Sequence, residues 1–149
     1  MNWLQFAGLR AFAAVALAAP AIASAMPAWM SEDAMRAAFI GKTLDGHYVD
    51  GLRWTETYNP DGRLEYRETA RNGIGYWYFR GSVFCTFYDP GYGLNGGCWN
   101  AIKTSANCYE FYAVGSDGDD EAGPGPLGSW TARAWRRGEP STCQEKPAV

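Results

Sequence analysis

The chain has 149 residues, of which 47% are hydrophobic and 15% aromatic, and its formal net charge at pH 7 is −3. This length supports one domain with a modest core. Nucleic acid and anionic membranes are not expected as partners, because both require clustered Lys and Arg and the longest basic run is Arg136-Arg137.

Residues 1–25 are typical of an export signal. Arg10 gives the positive flank, Ala11–Ala19 the apolar core, and small residues up to Ala25 a cleavage site. The apolar run is too short to span a bilayer as a stable helix, and no Cys follows the cleavage site to accept a lipid. We therefore expect a soluble protein, periplasmic or secreted after cleavage near Ala25, without stable membrane insertion.

After this signal peptide, the pattern predicts an N-terminal extension with one short helix over 26–43, a single antiparallel β domain over 44–143 and a flexible tail over 144–149. The helix should begin after Ser31, which can cap it, and end near Gly41.

Six aromatic and β-branched runs with two-residue alternation predict strands. They cover 52–58, 63–70, 74–80, 82–88, 108–114 and 129–136. Asn59-Pro60-Asp61-Gly62, Asn72-Gly73 and Arg80-Gly81 are typical of tight turns between them. Such a meander predicts a mostly β fold, a small lipocalin-like barrel or strongly curled sheet. Residues 76–79 place aromatic rings on both faces, so we expect both faces of that strand to be covered.

Four cysteines in an exported chain favour two disulfides, and three connectivities are possible. We prefer Cys85 with Cys108, because both lie in aromatic strand-like runs, which leaves Cys98 with Cys143. A four-Cys zinc site is less favoured, since no close C-x-x-C pair occurs.

Catalytic motifs are scarce. His47 is the only histidine, and we expect a solvated or hydrogen-bonded turn residue leading into the first strand. Hydrolase, phosphate-loop and dinucleotide motifs are missing from the sequence, so no cofactor is expected and no catalytic residue is assigned.

Three glutamates, Glu56, Glu65 and Glu68, lie on one predicted hairpin, where two carboxyl groups could flank a glycosidic bond. Arginines in the same segments explain these charges equally well by cross-strand pairing. Because Glu56 alternates with inward aromatic residues, we expect it to be buried and paired with an arginine.

The glycine-rich segment 116–128 contains Asp117, Asp119 and Asp120, weak candidates for calcium ligands. Their spacing does not match the twelve-residue calcium loop. A solvated acidic loop is the favoured interpretation, and no metal is expected.

Trp54, Tyr88, Tyr92 and Trp99 are the candidate ligand-binding residues. The last three flank or occupy the loop Asp89–Gly97, and amphipathic rings in loops often form contact surfaces.

Six short motifs follow one another along the chain. They are Leu44-x-Gly46, Gly51-x-x-Trp54, Tyr58-x-x-Asp61-Gly62, Gly75-x-Trp77, Phe84-Cys85 and Cys108-Tyr109. This pattern resembles an uncharacterised family of short exported proteobacterial β proteins. The resemblance implies a small periplasmic β domain of unknown function, and it supports the pairing of Cys85 with Cys108.

The leading functional hypothesis is a non-enzymatic binding module that engages an unknown envelope component, a protein or a small apolar ligand. One alternative is an envelope-polysaccharide hydrolase that uses Glu56 with Glu68 or Glu65. Another is an inhibitor of a foreign hydrolase that inserts the loop Asp89–Gly97 into a cleft.

Overall fold

A computed structural model describes residues 28–114 and 130–144 of the chain. These form a closed antiparallel barrel of eight strands with one short helix, which confirms the mostly β prediction. The predicted signal peptide, the acidic candidates Asp117, Asp119 and Asp120, and most of the predicted tail lie outside the described residues. The elements are α1 (Glu32–Phe39), β1 (Lys42–Tyr48), β2 (Arg53–Tyr58), β3 (Arg63–Glu68), β4 (Asn72–Arg80), β5 (Val83–Tyr88), β6 (Gly97–Ser105), β7 (Cys108–Ala113) and β8 (Ala132–Arg136).

Each strand pairs with its neighbours in sequence, and β8 closes the ring by pairing with β1. Two-residue alternation turns one side chain in two into the barrel. In β2, for example, Trp54, Glu56 and Tyr58 are buried, whereas the residues between them are half-buried. This alternation confirms the prediction that Glu56 is buried beside inward aromatic residues.

Helix α1 plugs one end of the barrel. The Ser31 hydroxyl accepts a hydrogen bond from the backbone N–H of Ala34, which caps the helix as predicted. Phe39 at its last turn is fully buried and contacts the rings of Tyr58, Phe84, Tyr109 and Phe111. Among the described residues, no helix has the length and apolar character needed to cross a membrane.

The two ends of the barrel are formed by different connections. The helix-plugged end, called the closed end below, carries the turns at 59–62, 81–82 and 106–107. The opposite end, called the open end, carries the connections at 49–52, 69–71 and 89–96. The strand β7 leads to this open end and β8 leaves from it.

Several sequence-based element boundaries were wrong. Strand β6 was not predicted, because its sequence GCWNAIKTS has no clear alternation and begins with glycine. Strand β1 was also not among the predicted strands, and His47 lies within it rather than in a turn. Asn72 and Gly73 belong to β4, and the β3–β4 turn comes just before them, where the Glu68 N–H donates to the Arg71 carbonyl.

The expectation that β4 is covered on both faces was also wrong. Tyr76 and Tyr78 point outward and are 41% and 46% exposed. They pack on the outward ring of Phe87 from β5, so the rings cover one another in place of a second layer.

The preferred disulfide pairing was wrong as well. Cys85 is bonded to Cys98, and Cys108 to Cys143. Cys85 and Cys98 are direct cross-strand partners on β5 and β6, whereas β6 separates β5 from Cys108 on β7. The pairing was predicted wrongly because strand β6 was not predicted. Two disulfides indicate a non-cytoplasmic protein.

Candidate functional site

The candidate site is a cavity of about 40 Å³ in the open-end half of the barrel interior. The described residues that line it are mostly aromatic, and Glu56 is the charged one among them. The lining consists of Tyr48, Trp54, Glu56, Tyr58, Phe84, Thr86, Tyr88, Asn95, Trp99, Phe111 and Ala132.

Glu56 is a buried carboxyl group held by two phenols. The Tyr58 hydroxyl donates to Oε2 at 2.7 Å and the Tyr88 hydroxyl donates to Oε1 at 2.8 Å. Tyr58 is two residues away on the same face of β2, whereas Tyr88 reaches across from β5. Burial raises the pKa of Glu56 to about 7, although both phenols oppose this rise. The expectation that Glu56 pairs with an arginine was therefore wrong.

The phenols around Glu56 stay protonated. Burial first, and the nearby carboxyl group second, raise the pKa of Tyr58 and of Tyr88 above the ordinary value of 10. Both phenols are therefore hydrogen-bond donors at physiological pH, and Glu56 is the lining group that titrates near neutrality.

Two further buried polar atoms in the cavity lining have no hydrogen-bond partner among the described residues: Trp54 Nε1 and Thr86 Oγ1. Thr86 Oγ1 is close enough to Tyr88 to lower the pKa of that phenol, but no hydrogen-bond geometry is satisfied there. Buried donors without partners cost free energy, so such atoms indicate a place for a water molecule or a ligand.

The Trp54 indole occupies the space that a glycine leaves free. Gly46 on β1 is paired in register with Trp54, and a Cβ atom at Gly46 would lie 2.5 Å from the indole ring. The sequence element Leu44-x-Gly46 thus positions the lining of the cavity, a close approach that requires glycine.

The cavity adjoins a mouth of about 310 Å³ at the open end. Four residues, Tyr48, Tyr88, Asn95 and Trp99, line both spaces. The mouth is completed by Tyr66 of β3 and by four residues from the connections at this end, Asp50, Leu52, Arg71 and Leu94.

A second hydrogen-bonded network runs along this mouth. The hydroxyls of Tyr48 and Tyr66 are 3.3 Å apart, Tyr66 donates to Glu68 Oε2 at 2.8 Å, and Arg71 donates to Glu68 Oε1. The Arg71 hydrogen bond holds the pKa of Glu68 below its ordinary value. Arg71 also donates to the carbonyl of Gly93 at 3.0 Å, which ties the loop 89–96 to the rim.

The four predicted ligand-binding residues do not all meet. Trp54, Tyr88 and Trp99 line the cavity, whereas Tyr92 is 37% exposed and packs beside Gly73 on the rim. Their role in binding stays a prediction. Sequence reasoning did not connect Tyr58, Tyr88 and Glu56, because β2 and β5 are not neighbouring strands.

The side chains of the three glutamates considered for catalysis point in different directions. Glu56 and Glu68 turn inward from β2 and β3, whereas Glu65 is exposed on the outer face. Glu65 therefore cannot act with the other two in one site.

His47 points to the outer face of β1. Its Nδ1 donates to the carbonyl of Tyr48 at 3.1 Å, and its ring packs edge-on against Trp130. No described group of three or more His, Cys, Asp or Glu side chains could hold a metal ion.

The loop Asp89–Gly97 folds back rather than projecting. Leu94 is half-buried against the barrel core, and Asn95 lines the cavity. This arrangement does not favour the inhibitor hypothesis, which requires a protruding loop.

Comparison with family models, with curated proteins and with solved structures gives no significant match. The resemblance to exported proteobacterial β proteins therefore stays a prediction, as does likeness to lipocalins.

Proposed function

We propose that this chain is an exported, non-enzymatic binding protein of the periplasm or cell envelope that takes up a small ligand at the open end of its barrel. The observation that carries the proposal is the polar floor of an aromatic cavity: Glu56 with Trp54 Nε1 and Thr86 Oγ1, beneath an open mouth. Binding sites are typically concave and apolar with a few convergent polar groups.

The predicted export signal and the two disulfides support the location. Cys85–Cys98 joins the two strands that flank the loop 89–96, so it holds the loop that borders the mouth. A binding site at this end then has a fixed rim on β5 and β6, which is the pre-organisation that small-ligand binding requires.

The test is a panel of small neutral, anionic and cationic aromatic compounds, added to ¹⁵N-labelled processed protein. Binding should shift the indole resonances of Trp54 and Trp99 and leave outward residues unchanged. Trp99→Ala should weaken binding at least about tenfold, because it removes a ring from both the cavity and the mouth.

Tyr92→Ala is the matched control, since Tyr92 lies in the loop 89–96 that leads into β6 but outside the cavity lining. It should bind like the unaltered protein. A panel that shifts no cavity resonance, or a Trp99→Ala variant with unchanged affinity, would contradict the proposal.

A second candidate, polysaccharide hydrolysis, is favoured by one observation. Glu56 and Glu68 turn inward on adjacent strands, and the pKa of Glu56 is raised whereas that of Glu68 is lowered. Opposed pKa values in paired carboxyl groups are typical of acid and base roles. However, the cavity beside Glu56, at about 40 Å³, is too small for a sugar ring.

Dye release from labelled envelope polysaccharide tests this candidate. Turnover by the processed protein that Glu68→Gln abolishes, with the variant still folded by circular dichroism, would replace the binding proposal. Turnover that is no greater than that of boiled protein would end the hydrolase hypothesis.

A further inference from the structure

We infer that the ligand of the open-end cavity carries a protonated primary amine, which binds Glu56. This inference rests on the proposed function and names the chemical class of its ligand. It follows from the charge, the aromatic lining and the size of the cavity, taken in turn.

Charge is the first argument. Three other carboxylates that are buried or half-buried in the strands each pair with an arginine: Glu68 with Arg71, Glu110 with Arg133 and Asp45 with Arg137. Glu56 is more deeply buried than Asp45, yet its hydrogen-bond partners are the uncharged phenols of Tyr58 and Tyr88. Among the described residues no cation faces it, so a cationic ligand would supply the charge that arginine supplies elsewhere.

The aromatic lining is the second argument. Tyr48, Trp54, Tyr88 and Trp99 surround the space above Glu56, and the faces of such rings attract cations. Tyr48 and Trp54 are already in ring contact, with their centroids 5.9 Å apart. A neutral ligand would make apolar contacts with these rings but would lack the electrostatic attraction between a cation and the ring faces.

Size is the third argument. The cavity of about 40 Å³ has room for a few water-sized groups, since one water needs roughly 10–15 Å³ on this measure. An ammonium with its first methylene fits, whereas a trimethylammonium head is too bulky. The body of the ligand would then occupy the mouth of about 310 Å³.

Because Glu56 must be ionised to attract an ammonium group, the affinity for an amine should depend on pH. The titratable groups that face it are the phenols of Tyr58 from β2, Tyr88 from β5 and Tyr48 from β1, whose pKa values are all raised. At the mouth, the hydrogen bond from Arg71 lowers the pKa of Glu68, so this ion pair stays charged across the neutral range, and Asp50 also lines the mouth. Glu56 therefore controls how the affinity for an amine changes between acidic and neutral pH.

Three compounds with one body separate the possibilities: 2-phenylethylamine, 2-phenylethanol and trimethyl-(2-phenylethyl)ammonium. Calorimetry and the Trp54 indole resonance would measure binding to the processed protein at about pH 5.5 and about pH 8. We expect the amine to bind at least about tenfold more tightly than the alcohol and than the trimethylammonium compound at the higher pH.

The pH change supplies an internal control. With the pKa of Glu56 about 7, amine affinity should fall roughly thirtyfold from about pH 8 to about pH 5.5. Affinity for the alcohol should not fall. An alkylamine stays protonated at both values, as a lysine side chain does.

Glu56→Gln keeps the shape of the side chain and removes its charge. The variant should lose most of the preference for the amine over the alcohol, since only the attraction of the rings remains, and it should lose the pH dependence. If the alcohol binds unaltered protein as tightly as the amine, the amine inference is overturned and the proposed binding function stands. If none of the three compounds, nor any member of the wider panel, shifts a cavity resonance, both are overturned.

Discussion

The two ends of the barrel are built from the same residue types, but these side chains are arranged differently. At the closed end, aromatic rings pack directly on Phe39, and Phe39 and Phe84 are almost fully buried. At the open end, tyrosine hydroxyls converge on Glu56 and Glu68, and space remains between them.

This difference shows how a small barrel can separate stability from a site. Apolar rings buried at one end supply the hydrophobic free energy, while burial of a carboxyl group at the other end costs some of it. Polar strain at functional sites is tolerated when the rest of the fold supports it. Four sets of variants test this difference between the two ends of the barrel.

Phe39→Ala should have the largest effect, because it removes the ring around which the closed end packs. We expect the free energy of unfolding to fall by about 3–5 kcal/mol in urea denaturation. Tyr92→Ala, an exposed ring at the open end, should change it by less than about 0.5 kcal/mol. Equal effects for the two variants would show that α1 does not plug the barrel.

The two disulfides should contribute unequally. Cys108–Cys143 closes a loop of 35 residues near the closed end, and Cys85–Cys98 closes one of 13 residues in the hairpin at the open end. Chain entropy gives about 4 kcal/mol for the first and about 3 kcal/mol for the second. Paired Cys→Ala variants measured by chemical denaturation check both the order and the pairing, and peptide mapping that recovers Cys85 linked to Cys108 would contradict the pairing.

Glu56→Gln should change how stability depends on pH. The folded protein holds the Glu56 proton up to about pH 7, whereas the unfolded chain loses it near the ordinary pKa of 4.5. Unfolding therefore releases a proton between these values, and the free energy of unfolding should decrease by about 3 kcal/mol as the pH rises from 4.5 to above 7.

The glutamine variant should lack this decrease, which thermal melts at a series of pH values would measure. The lowered pKa values of Glu68 and Asp45 act in the opposite sense and below pH 4.5, so they do not obscure this range. Parallel pH curves for the two proteins would show that Glu56 is not buried as described.

Ser31→Ala should have the smallest effect. It removes the side-chain acceptor for the Ala34 N–H at the start of α1, and the expected loss is about 1 kcal/mol. Ser31→Asp keeps an acceptor and adds a favourable charge at the helix start, so its stability in urea should equal or exceed that of the parent. A loss with aspartate as large as with alanine would contradict the capping role.

Local patterns were sufficient for much of the fold. Alternation placed Glu56 inside the barrel, Asn59-Pro60-Asp61-Gly62 and Arg80-Gly81 marked turns that the structure contains, and Ser31 marked the helix start. These features depend on residues within a few positions of one another.

The site depends on contacts that no local pattern contains. Tyr88 reaches Glu56 from a strand 32 residues away, and an arginine was expected because a phenol pair leaves no charge signal in the sequence. The mixed sequence of β6 concealed the strand that carries Cys98, so both disulfides were paired wrongly. Trp54 and Trp99 were named as candidates, but their common cavity follows only from barrel closure.

The order of the strands also has a consequence for how the chain folds. Each strand pairs with the next one along the chain, except where β8 meets β1. Hairpins can therefore assemble successively at low entropic cost, and the ring joins in a single long-range step. Arg137 and Asp45 form an ion pair beside the junction of β8 with β1. These two residues are 92 positions apart, so the ion pair stabilises the contact that joins the most distant segments of the barrel.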